Sequence, residues 1–416
     1  MTTHDPKSEF EQIQKILSSP LKKIGFLFGA GISMNKTDGN DLIVGMNDRV
    51  IKGSDGKKDT TKKGMTSLSL ESLSDSEKSA IASMKKEIQS QSETFNIENL
   101  LSLISKKEQA AGGEKLCGLS KQELLNLRKN IEKKITELVS VHTQDNLVEE
   151  TYHNTFAKWV KNAHREFAVE IFTTNYDYLL ELSLENQKVQ YFDGFVGSYE
   201  SFFCPEWIES DDAVRNWVKL WKLHGSLGWK LNEKNEVVRT SESNGNAMIY
   251  PSYLKYDNSK KQPYLSYMDR LSSFLRQEDS VLFVCGYSFG DQHINEMMIT
   301  ALSRSRSSHI FVFMHGDLKE DDDISKKIAQ NNSKISVYGL RNAIIGCEFG
   351  EWKLDREPDK NESFNVLDFA WDEDAAQEKN VWTGKGNFRL GDFKYFTNFL
   401  SHFYSNSRYI KHENEK

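Results

Sequence analysis

Asn175 and Asp177 follow a predicted strand, at a position where polar side chains can take part in ligand binding or catalysis. They belong to the string FTTNYD, which follows an apolar run over 167–172 and precedes a helical pattern that begins at Tyr178. In open α/β sheets, ligands bind at the carboxyl ends of strands, so side chains at such a corner face the crevice. Both residues also suit a structural role, Asp177 as a helix N-cap and Asn175 as a turn residue. The string alone leaves both interpretations open.

His224 occupies the same kind of position later in the chain. It follows a strand-like apolar run over 217–223 and precedes Gly225 and Ser226. An imidazole titrates near neutral pH and is the side chain most often used as a general base. A lone histidine is more often structural, and His224 gains interest because it is the second polar group predicted at a strand end.

Two glycine-containing loops follow two other predicted strands. The run over 24–28 leads into Gly29-Ala30-Gly31-Ile32-Ser33, and the run over 280–285 leads into Gly286-Tyr287-Ser288. Small residues let a backbone approach phosphate or ribose closely, and exposed amides in a turn bind anions. The first loop lacks the third glycine of the dinucleotide fingerprint GxGxxG, so on its own it also fits a tight turn.

Strand-like and helical segments alternate through most of the chain. Strands are predicted over 24–28, 167–172, 217–223, 280–285 and 309–314, and helical patterns separate them. This alternation predicts an α/β fold, namely a Rossmann-like, doubly wound, mostly parallel sheet. A proline-interrupted loop is predicted over 249–256.

The predicted organisation is one large domain over 1–340 and a short C-terminal extension over 341–416. The large domain carries a polar loop over about 51–79, which suits either a solvated insertion or a lid, and a helical insertion over about 77–165. An amphipathic helix is predicted near the end of the extension. Its apolar face, which suits either a core or an interface, comprises Phe393, Phe396, Leu400 and Phe403.

Composition narrows the classes of function. The 416 residues are 38% hydrophobic, which is enough to bury a core without disulfides or metals. A net charge of −7 argues against a chain that coats nucleic acid. The N-terminus lacks the apolar region of a signal peptide, and no run approaches the roughly 18 apolar residues of a membrane span. We therefore expect a soluble cytoplasmic protein without a membrane or nucleic-acid partner.

The four cysteines, Cys117, Cys204, Cys285 and Cys347, lie far apart in the sequence. They form no CxxC pair, so an all-cysteine zinc site is not expected, and no metal is predicted. Their wide spacing and mostly apolar neighbours suit reduced, buried thiols.

Taken together, the four corners resemble the sirtuin-like fold. The GAGxS loop, the Asn-x-Asp corner, the histidine after a strand and the later GxS loop follow one another in this order. Four strings resemble those of bacterial sirtuin-like defence proteins more closely than those of the protein deacylases: TTNYD, KLHGS, GYSFGDQHIN and NIENLL. The resemblance covers about 21–315 of the chain.

The resemblance implies NAD as the ligand and assigns regions of the site. It implies a dinucleotide loop, a second loop near the adenosine ribose, and a nicotinamide-ribose end. The dinucleotide loop corresponds to Gly29, Ala30, Gly31 and Ser33. The second loop corresponds to Gly286, Tyr287 and Ser288. The nicotinamide-ribose end corresponds to Asn175, Asp177 and His224.

The implied roles at the nicotinamide-ribose end stay open. His224 is either a general base toward a ribose hydroxyl or a group that orients it. Asn175 would hold the ribose or a water molecule. Asp177 would accept from the nicotinamide amide or order the corner.

Three departures from the deacylases shape the expected function. The cysteine pairs of their zinc ribbon are missing, the helical insertion stands in place of that module, and Asn40-Asp41-Leu42 lies near the position of their Pro-Asp-Phe-Arg string. Water is then the expected acceptor. The resemblance thus implies an NAD glycohydrolase that acts in antiphage defence by depleting NAD. The alternatives are a non-catalytic NAD or ADP-ribose sensor and a zinc-free protein deacylase.

The resemblance also implies partners. A sirtuin-like chain of this length resembles the partner of a HerA-type hexameric ATPase. We therefore expect a homo-oligomer whose activity such an ATPase controls. The helical insertion and the terminal apolar face are the candidate contact surfaces, and burial of both within the monomer is the equal alternative.

Overall fold

The computed structural model of the chain describes residues 2–51, 60–91, 94–144, 146–210, 214–240, 262–318, 324–358, 365–374 and 382–402. The loop predicted over 249–256 and Phe403 lie outside these residues.

Eighteen strands occur among the described residues. They are β1 (Thr3–His4), β2 (Lys23–Phe28), β3 (Arg49–Ile51), β4 (Thr60–Lys62), β5 (Glu170–Thr173), β6 (Tyr191–Phe192), β7 (Phe195–Val196), β8 (Ser201–Phe203), β9 (Val218–Lys222), β10 (Trp229–Leu231), β11 (Val237–Arg239), β12 (Ser280–Cys285), β13 (His309–Phe313), β14 (Ile335–Tyr338), β15 (Asn342–Ile345), β16 (Glu348–Trp352), β17 (Trp371–Glu373) and β18 (Gly386–Phe388).

The described part of the chain also contains twelve α-helices. They are α1 (Pro6–Ser18), α2 (Met65–Ser69), α3 (Asp75–Ser90), α4 (Ile97–Ala110), α5 (Lys121–Val139), α6 (Tyr152–Asn162), α7 (Leu179–Asn186), α8 (Glu206–Glu209), α9 (Tyr264–Arg276), α10 (Gln292–Arg304), α11 (Ile324–Gln330) and α12 (Phe393–Ser401).

A ten-stranded sheet runs through the molecule in the order β1-β16-β15-β14-β13-β12-β2-β5-β9-β6. All pairings from β14 to β6 are parallel, whereas β15 pairs antiparallel with both β14 and β16. The chain winds from β2 through β5 to β9 on one side and from β12 through β13 to β14 on the other. The switch point therefore lies between β2 and β12, and the predicted doubly wound α/β fold is confirmed.

The central strands form because their sequences suit burial on both faces. β2 has the sequence KIGFLF and β12 the sequence SVLFVC, and their side chains are almost entirely buried. Near-continuous apolar runs are typical of parallel strands covered by helices on both sides. One face packs against α1, α6 and α12, and the other against α9 and α10.

The predicted helical insertion divides into two parts. Helices α3 to α5 enclose an apolar core of their own, in which Met84, Leu100, Leu124 and Ile131 are completely buried. Capping boxes fix the starts of α3 and α5. Helix α6, which the sequence analysis placed in this insertion, instead packs on the central sheet through Phe156 and its neighbours.

The segment predicted as a polar loop over about 51–79 contains regular structure where it is described. Strand β4 pairs antiparallel with β3, and α2 and the start of α3 follow. Gly64 N–H donates to Asp48 Oδ1 over 2.7 Å, and Thr66 Oγ1 donates to the carbonyl of Met46 over 2.9 Å. These hydrogen bonds to neighbouring segments stabilise regular structure in this region. The low apolar content of the sequence does not predict that structure.

The segment after 341 is continuous with the large domain. Strands β15 and β16 extend the central sheet, and α12 packs against α6. Phe396 and Leu400 are fully buried and Phe393 nearly so. The interpretation of this apolar face as a partner surface is therefore wrong for these three residues, because the sheet and α6 already cover them.

No helix among the described residues is both long enough and apolar enough to cross a membrane. All four cysteines are free thiols. Cys285 is buried and the other three are half-buried, so the expectation of buried thiols holds in full only for Cys285.

Replacing Phe396 by alanine tests the role of α12 in the core. We expect the free energy of unfolding to fall by about 3–5 kcal/mol, because the substitution leaves a cavity beneath β2 and β13. Urea denaturation followed by circular dichroism measures the change. Asn398→Ala, on the exposed side of the same helix, is the matched control and should stay within about 0.5 kcal/mol of the parent. Equal stability of the two variants would contradict this packing.

Candidate functional site

All four predicted corners lie at one edge of the sheet. The glycine loops follow β2 and β12, the Asn175 corner follows β5, and His224 follows β9. These four strands are consecutive in the order β12-β2-β5-β9 and mutually parallel, so their carboxyl ends meet. This is the edge where open α/β sheets bind ligands.

The two glycine loops touch through their backbones. The Gly31 N–H donates to the Gly286 carbonyl over 2.9 Å. A Cβ on Gly29 would lie 2.5 Å from the Gly286 oxygen, and a Cβ on Gly31 would lie 2.7 Å from the Gly286 Cα. Gly286 itself has a φ of +69°, which side-chain-bearing residues rarely adopt. Only glycine fits this contact, and the loops are held together at the switch point.

Asn175, Asp177 and Ser33 form one buried hydrogen-bonded cluster. The Asn175 side-chain amide donates to the Gly29 carbonyl and to Ser33 Oγ, over 3.1 Å each. Ser33 Oγ in turn donates to Asp177 Oδ2 over 3.1 Å. Asp177 Oδ1 accepts from the Leu179 backbone N–H over 3.0 Å at the start of α7. The cluster joins the corner after β5 to the loop after β2. The N-cap position of α7 belongs to Tyr178 and not, as predicted, to Asp177, which accepts from the first helical N–H from one residue earlier.

His153 lies beneath this cluster, on α6. Its Nε2 is 3.4 Å from Ser33 Oγ, and its side chain is 1% exposed. Burial lowers the pKa of His153 to about 4, although the carboxylate of Asp177 acts in the opposite direction. The imidazole is therefore neutral at physiological pH and packs at 5.3 Å from the ring of Phe393.

Lys222 connects the Asn175 corner to the His224 corner. Its buried ammonium donates to the carbonyls of Tyr176 and Asp177, to Ser226 Oγ over 3.0 Å, and to Glu181 Oε1 over 2.7 Å. Burial raises the pKa of Glu181, while the charge of Lys222 opposes that rise. The ammonium thus fixes the strand end that carries His224 relative to the corner that carries Asp177.

His224 is buried beside polar groups from α10. Its Nε2 lies 3.7 Å from Asp291 Oδ2, and its ring centroid lies 6.4 Å from that of His293. On the other side, the ring of Tyr176 is 6.5 Å away. The side chain of His224 is 4% exposed and that of Asp291 is 11% exposed, so the pair is largely shielded from water.

A cavity of about 330 Å³ opens between the glycine loops and the start of α12. Such a volume falls within the range of small-molecule pockets. Gly31, Ser288 and Asp392 are among the residues that line it. A larger groove lies over the small sheet β10-β11-β8-β7, and none of the predicted site residues line it. We place the ligand-binding part of the candidate site at the smaller cavity because both glycine loops line it, through Gly31, Gly286, Tyr287 and Ser288, whereas Asn175, Asp177 and His224 are not among its lining residues.

The side chain of Tyr287 is buried, unlike that of its neighbour Ser288 in the same loop. Its hydroxyl donates to Asn295 Oδ1 over 3.0 Å, and its ring packs on Phe289. The side chain therefore anchors the loop on α10, and the ring is only 5% exposed. Ala30 and Ser288, by contrast, are exposed at the surface of the two loops.

Three residues of the site escaped the sequence analysis: His153, Lys222 and Asp291. Lys222 carried a signal, because it is a charged residue at the end of an otherwise apolar strand. Asp291 was quoted only within the string GYSFGDQHIN; in the structure it is the N-cap residue of α10, makes no side-chain capping hydrogen bond and lies beside His224. His153 carried no local signal, because it is separated from Ser33 by 120 residues and meets it only in the folded chain.

Comparison with known proteins identifies the region that carries most of this site. Residues 169–338 match the family model of the SIR2-like domain. This span begins just before β5 and ends with β14, so it includes Asn175, Asp177, His224 and the second glycine loop. No curated protein matches the chain.

One solved structure aligned with the chain is described as "Structural Basis for the Mechanism and Regulation of Sir2 Enzymes". The alignment covers 76% of this chain and 88% of that chain, at 10% identity and a TM-score of 0.32.

The buried neutral His153 predicts a pH dependence of stability. Its pKa is about 4 in the folded chain and about 6.5 in the unfolded chain, so only the unfolded state gains a proton as the pH falls through this window. The contribution of His153 to the free energy of unfolding is fully present above pH 6.5, and about 3 kcal/mol of it is lost by pH 4. His309, whose pKa burial also lowers to about 4, adds a similar loss.

The measurement is urea denaturation at several pH values between 7 and 4. His153→Gln should lose stability less steeply than the parent over this range, whereas the exposed His164→Gln should follow the parent. Parallel curves for the parent and His153→Gln would contradict a buried, neutral His153.

Proposed function

We propose that this chain, which carries a SIR2-like domain over 169–338, binds NAD at the switch point and hydrolyses it to ADP-ribose and nicotinamide. The observation that carries the proposal is the meeting of four corners at one sheet edge. There the Ser33–Asn175–Asp177 cluster is tied through Lys222 to the strand that ends at His224.

The glycine loops and the cavity beside them suit the adenosine and diphosphate part of NAD. Backbone amides of a loop at a strand end bind phosphate oxygens when no side chain blocks their approach. Gly31, Gly286 and Ser288 line the cavity without bulky side chains, and Arg49, whose guanidinium is ion-paired with Asp41, also lines it and has further N–H groups that could donate to a diphosphate. Asp392 also lines the cavity; its Oδ1 accepts from the Lys394 N–H, and its other carboxylate oxygen can accept from a ribose hydroxyl.

His224 is the residue proposed to move a proton. Bound NAD contains an N-glycosidic bond between nicotinamide and ribose. Cleavage of this bond releases neutral nicotinamide and leaves positive charge on the ribose. Water then forms the new C–O bond, and the proton it loses passes to a base. His224 Nε2 can take that proton or act on a ribose hydroxyl, and the nearby carboxylate of Asp291 stabilises the resulting imidazolium.

Asn175 and Asp177 are proposed to shape the ribose end of the site. The Asn175 amide already bridges Gly29 and Ser33, so the residue holds the two corners at a fixed distance. Asp177 uses both carboxylate oxygens within the corner. The carboxylate places a negative charge near the reacting ribose without being consumed by the reaction.

A non-catalytic NAD-binding or ADP-ribose-binding module is the second candidate. The observation that favours it is the same set of bonds, because Asn175 and Asp177 are engaged within the chain. Such a module would bind NAD without releasing nicotinamide. A zinc-free deacylase would release nicotinamide only when an acylated peptide is present.

We further propose that the activity serves antiphage defence and is controlled by a partner. An unregulated NAD hydrolase would deplete the cell that makes it, so its turnover has to be gated. The proposed assembly is a homo-oligomer bound by a HerA-type hexameric ATPase. Helices α3 to α5 are the candidate surface, since they fold around their own core and the apolar face of α12 is buried.

His224→Ala and Asn175→Ala test the catalytic proposal. Each should lower the rate of nicotinamide release from NAD by about 10²–10⁴-fold, as expected for the loss of a general base or a positioning group. Chromatography of the reaction products measures the rate. The exposed His164→Ala is the matched control and should keep the parent rate. Binding of NAD by the parent with no nicotinamide formed would support the sensor instead.

Light scattering of the chain with and without the ATPase tests the proposed assembly. We expect the chain alone to form an oligomer, to co-elute with the ATPase, and to change its rate of NAD cleavage in the complex. Charge-reversing substitutions on the exposed faces of α3 and α5, such as Lys86→Glu and Lys133→Glu, should weaken co-elution. A monomer that never co-elutes, with one rate under both conditions, would refute this part.

A further inference from the structure

His224, Asp291 and His293 form a compact cluster of two imidazoles and one carboxylate. One potential ligand atom from each residue lies within 4.8 Å of the other two. His224 extends from the end of β9, while Asp291 and His293 lie at the start of α10. The cluster therefore joins two elements across the candidate site.

The carboxylate of Asp291 lies close to His224. Asp291 is the N-cap residue of α10, with φ −92° and ψ 95°, yet its side chain makes no capping hydrogen bond. Its Oδ2 instead lies 3.7 Å from His224 Nε2. An aspartate at an N-cap often accepts from its own helix, whereas this carboxylate is directed at the imidazole of His224.

The spacing is close to that of metal ligands. Ligand atoms around a tetrahedral zinc ion, at metal distances of about 2.0–2.1 Å, lie roughly 3.3–3.4 Å apart. The His224–Asp291 separation of 3.7 Å is already near this value. The widest separation within the cluster is at most 4.8 Å.

The donor set identifies the class of ion. Imidazole nitrogens suit Zn²⁺ and neighbouring transition metals, whereas Mg²⁺ and Ca²⁺ prefer all-oxygen sites. With both imidazoles neutral, the cluster carries one negative charge that favours a divalent cation. Three protein ligands also leave a fourth position for water, as in open zinc sites.

We propose that His224, Asp291 and His293 bind one Zn²⁺ ion, or a transition-metal ion of similar preference, and that this ion inhibits NAD cleavage. Coordination occupies the lone pair of the His224 imidazole, so that nitrogen no longer accepts a proton. The inhibitory part rests on the proposed function, whereas the binding part does not. The expectation that the chain holds no metal came from its cysteines, none of which takes part.

Metal binding is tested on the full chain after chelator treatment and dialysis. Titration calorimetry with Zn²⁺ should show one ion per chain, and Co²⁺ should give the visible absorption of a tetrahedral nitrogen–oxygen site. His293→Ala and Asp291→Asn should each weaken binding by at least about 100-fold, because loss of a ligand exceeds the 10–100-fold typical of outer-shell changes. The exposed His164→Ala is the control and should bind as the parent does.

Circular dichroism checks that the variants are folded, and half-buried His293 offers the safer substitution of the two. Absence of stoichiometric binding, or equal binding by the parent and His293→Ala, would overturn the proposal and mark any bound zinc as adventitious.

Nicotinamide release in the presence of Zn²⁺ tests the inhibitory role. The parent should lose activity as the site fills and regain it with chelator, while His293→Ala should remain active at the same concentration. Inhibition of both proteins alike would overturn this role. Stoichiometric zinc with no NAD cleavage under any condition would instead reject the proposed hydrolysis, so the two failures are distinguishable.

Discussion

The contact between the backbones of Gly31 and Gly286 is the constraint on which the site depends. The Gly31 N–H donates to the Gly286 carbonyl, and a Cβ at either position would collide with the opposite loop. The loops can therefore meet only where β2 and β12 are adjacent, which is the switch point of the sheet. The cavity is lined by residues of both loops, and the adjacency of β2 to β5 on the other side brings Ser33 to Asn175.

A buried charge imposes the second constraint. The Lys222 ammonium is almost fully buried and requires acceptors, since an uncompensated charge in a protein interior costs several kcal/mol. Its acceptors come from the corner after β5, from α7 and from Ser226. The bond to Glu181 engages one oxygen of its carboxylate, Oε1. Burial of this pair contributes little to stability compared with apolar packing, but it defines one arrangement of the two corners.

The sequence by itself determined the class of fold and most of the strand ends that carry the site. Ser280–Cys285 and the strand ending at Phe28 are near-continuous apolar runs, and such runs predict buried parallel strands without reference to distant residues. Glycines and short polar residues directly after such runs indicate turns at the ligand-binding edge. For this reason the glycine loops, Asn175, Asp177 and His224 were all identifiable before the fold was known.

Only the tertiary structure decided which groups meet at those strand ends. His153 contacts Ser33 across 120 residues, and Asp291 lies beside His224 because β12 and β9 lie in one sheet. From the sequence, the apolar face that includes Phe396 suited either a core or an interface. In the structure it packs against α6 and belongs to the core. Periodicity reports only that a face is apolar. What covers the face depends on contacts between residues far apart in the chain, which no local pattern contains.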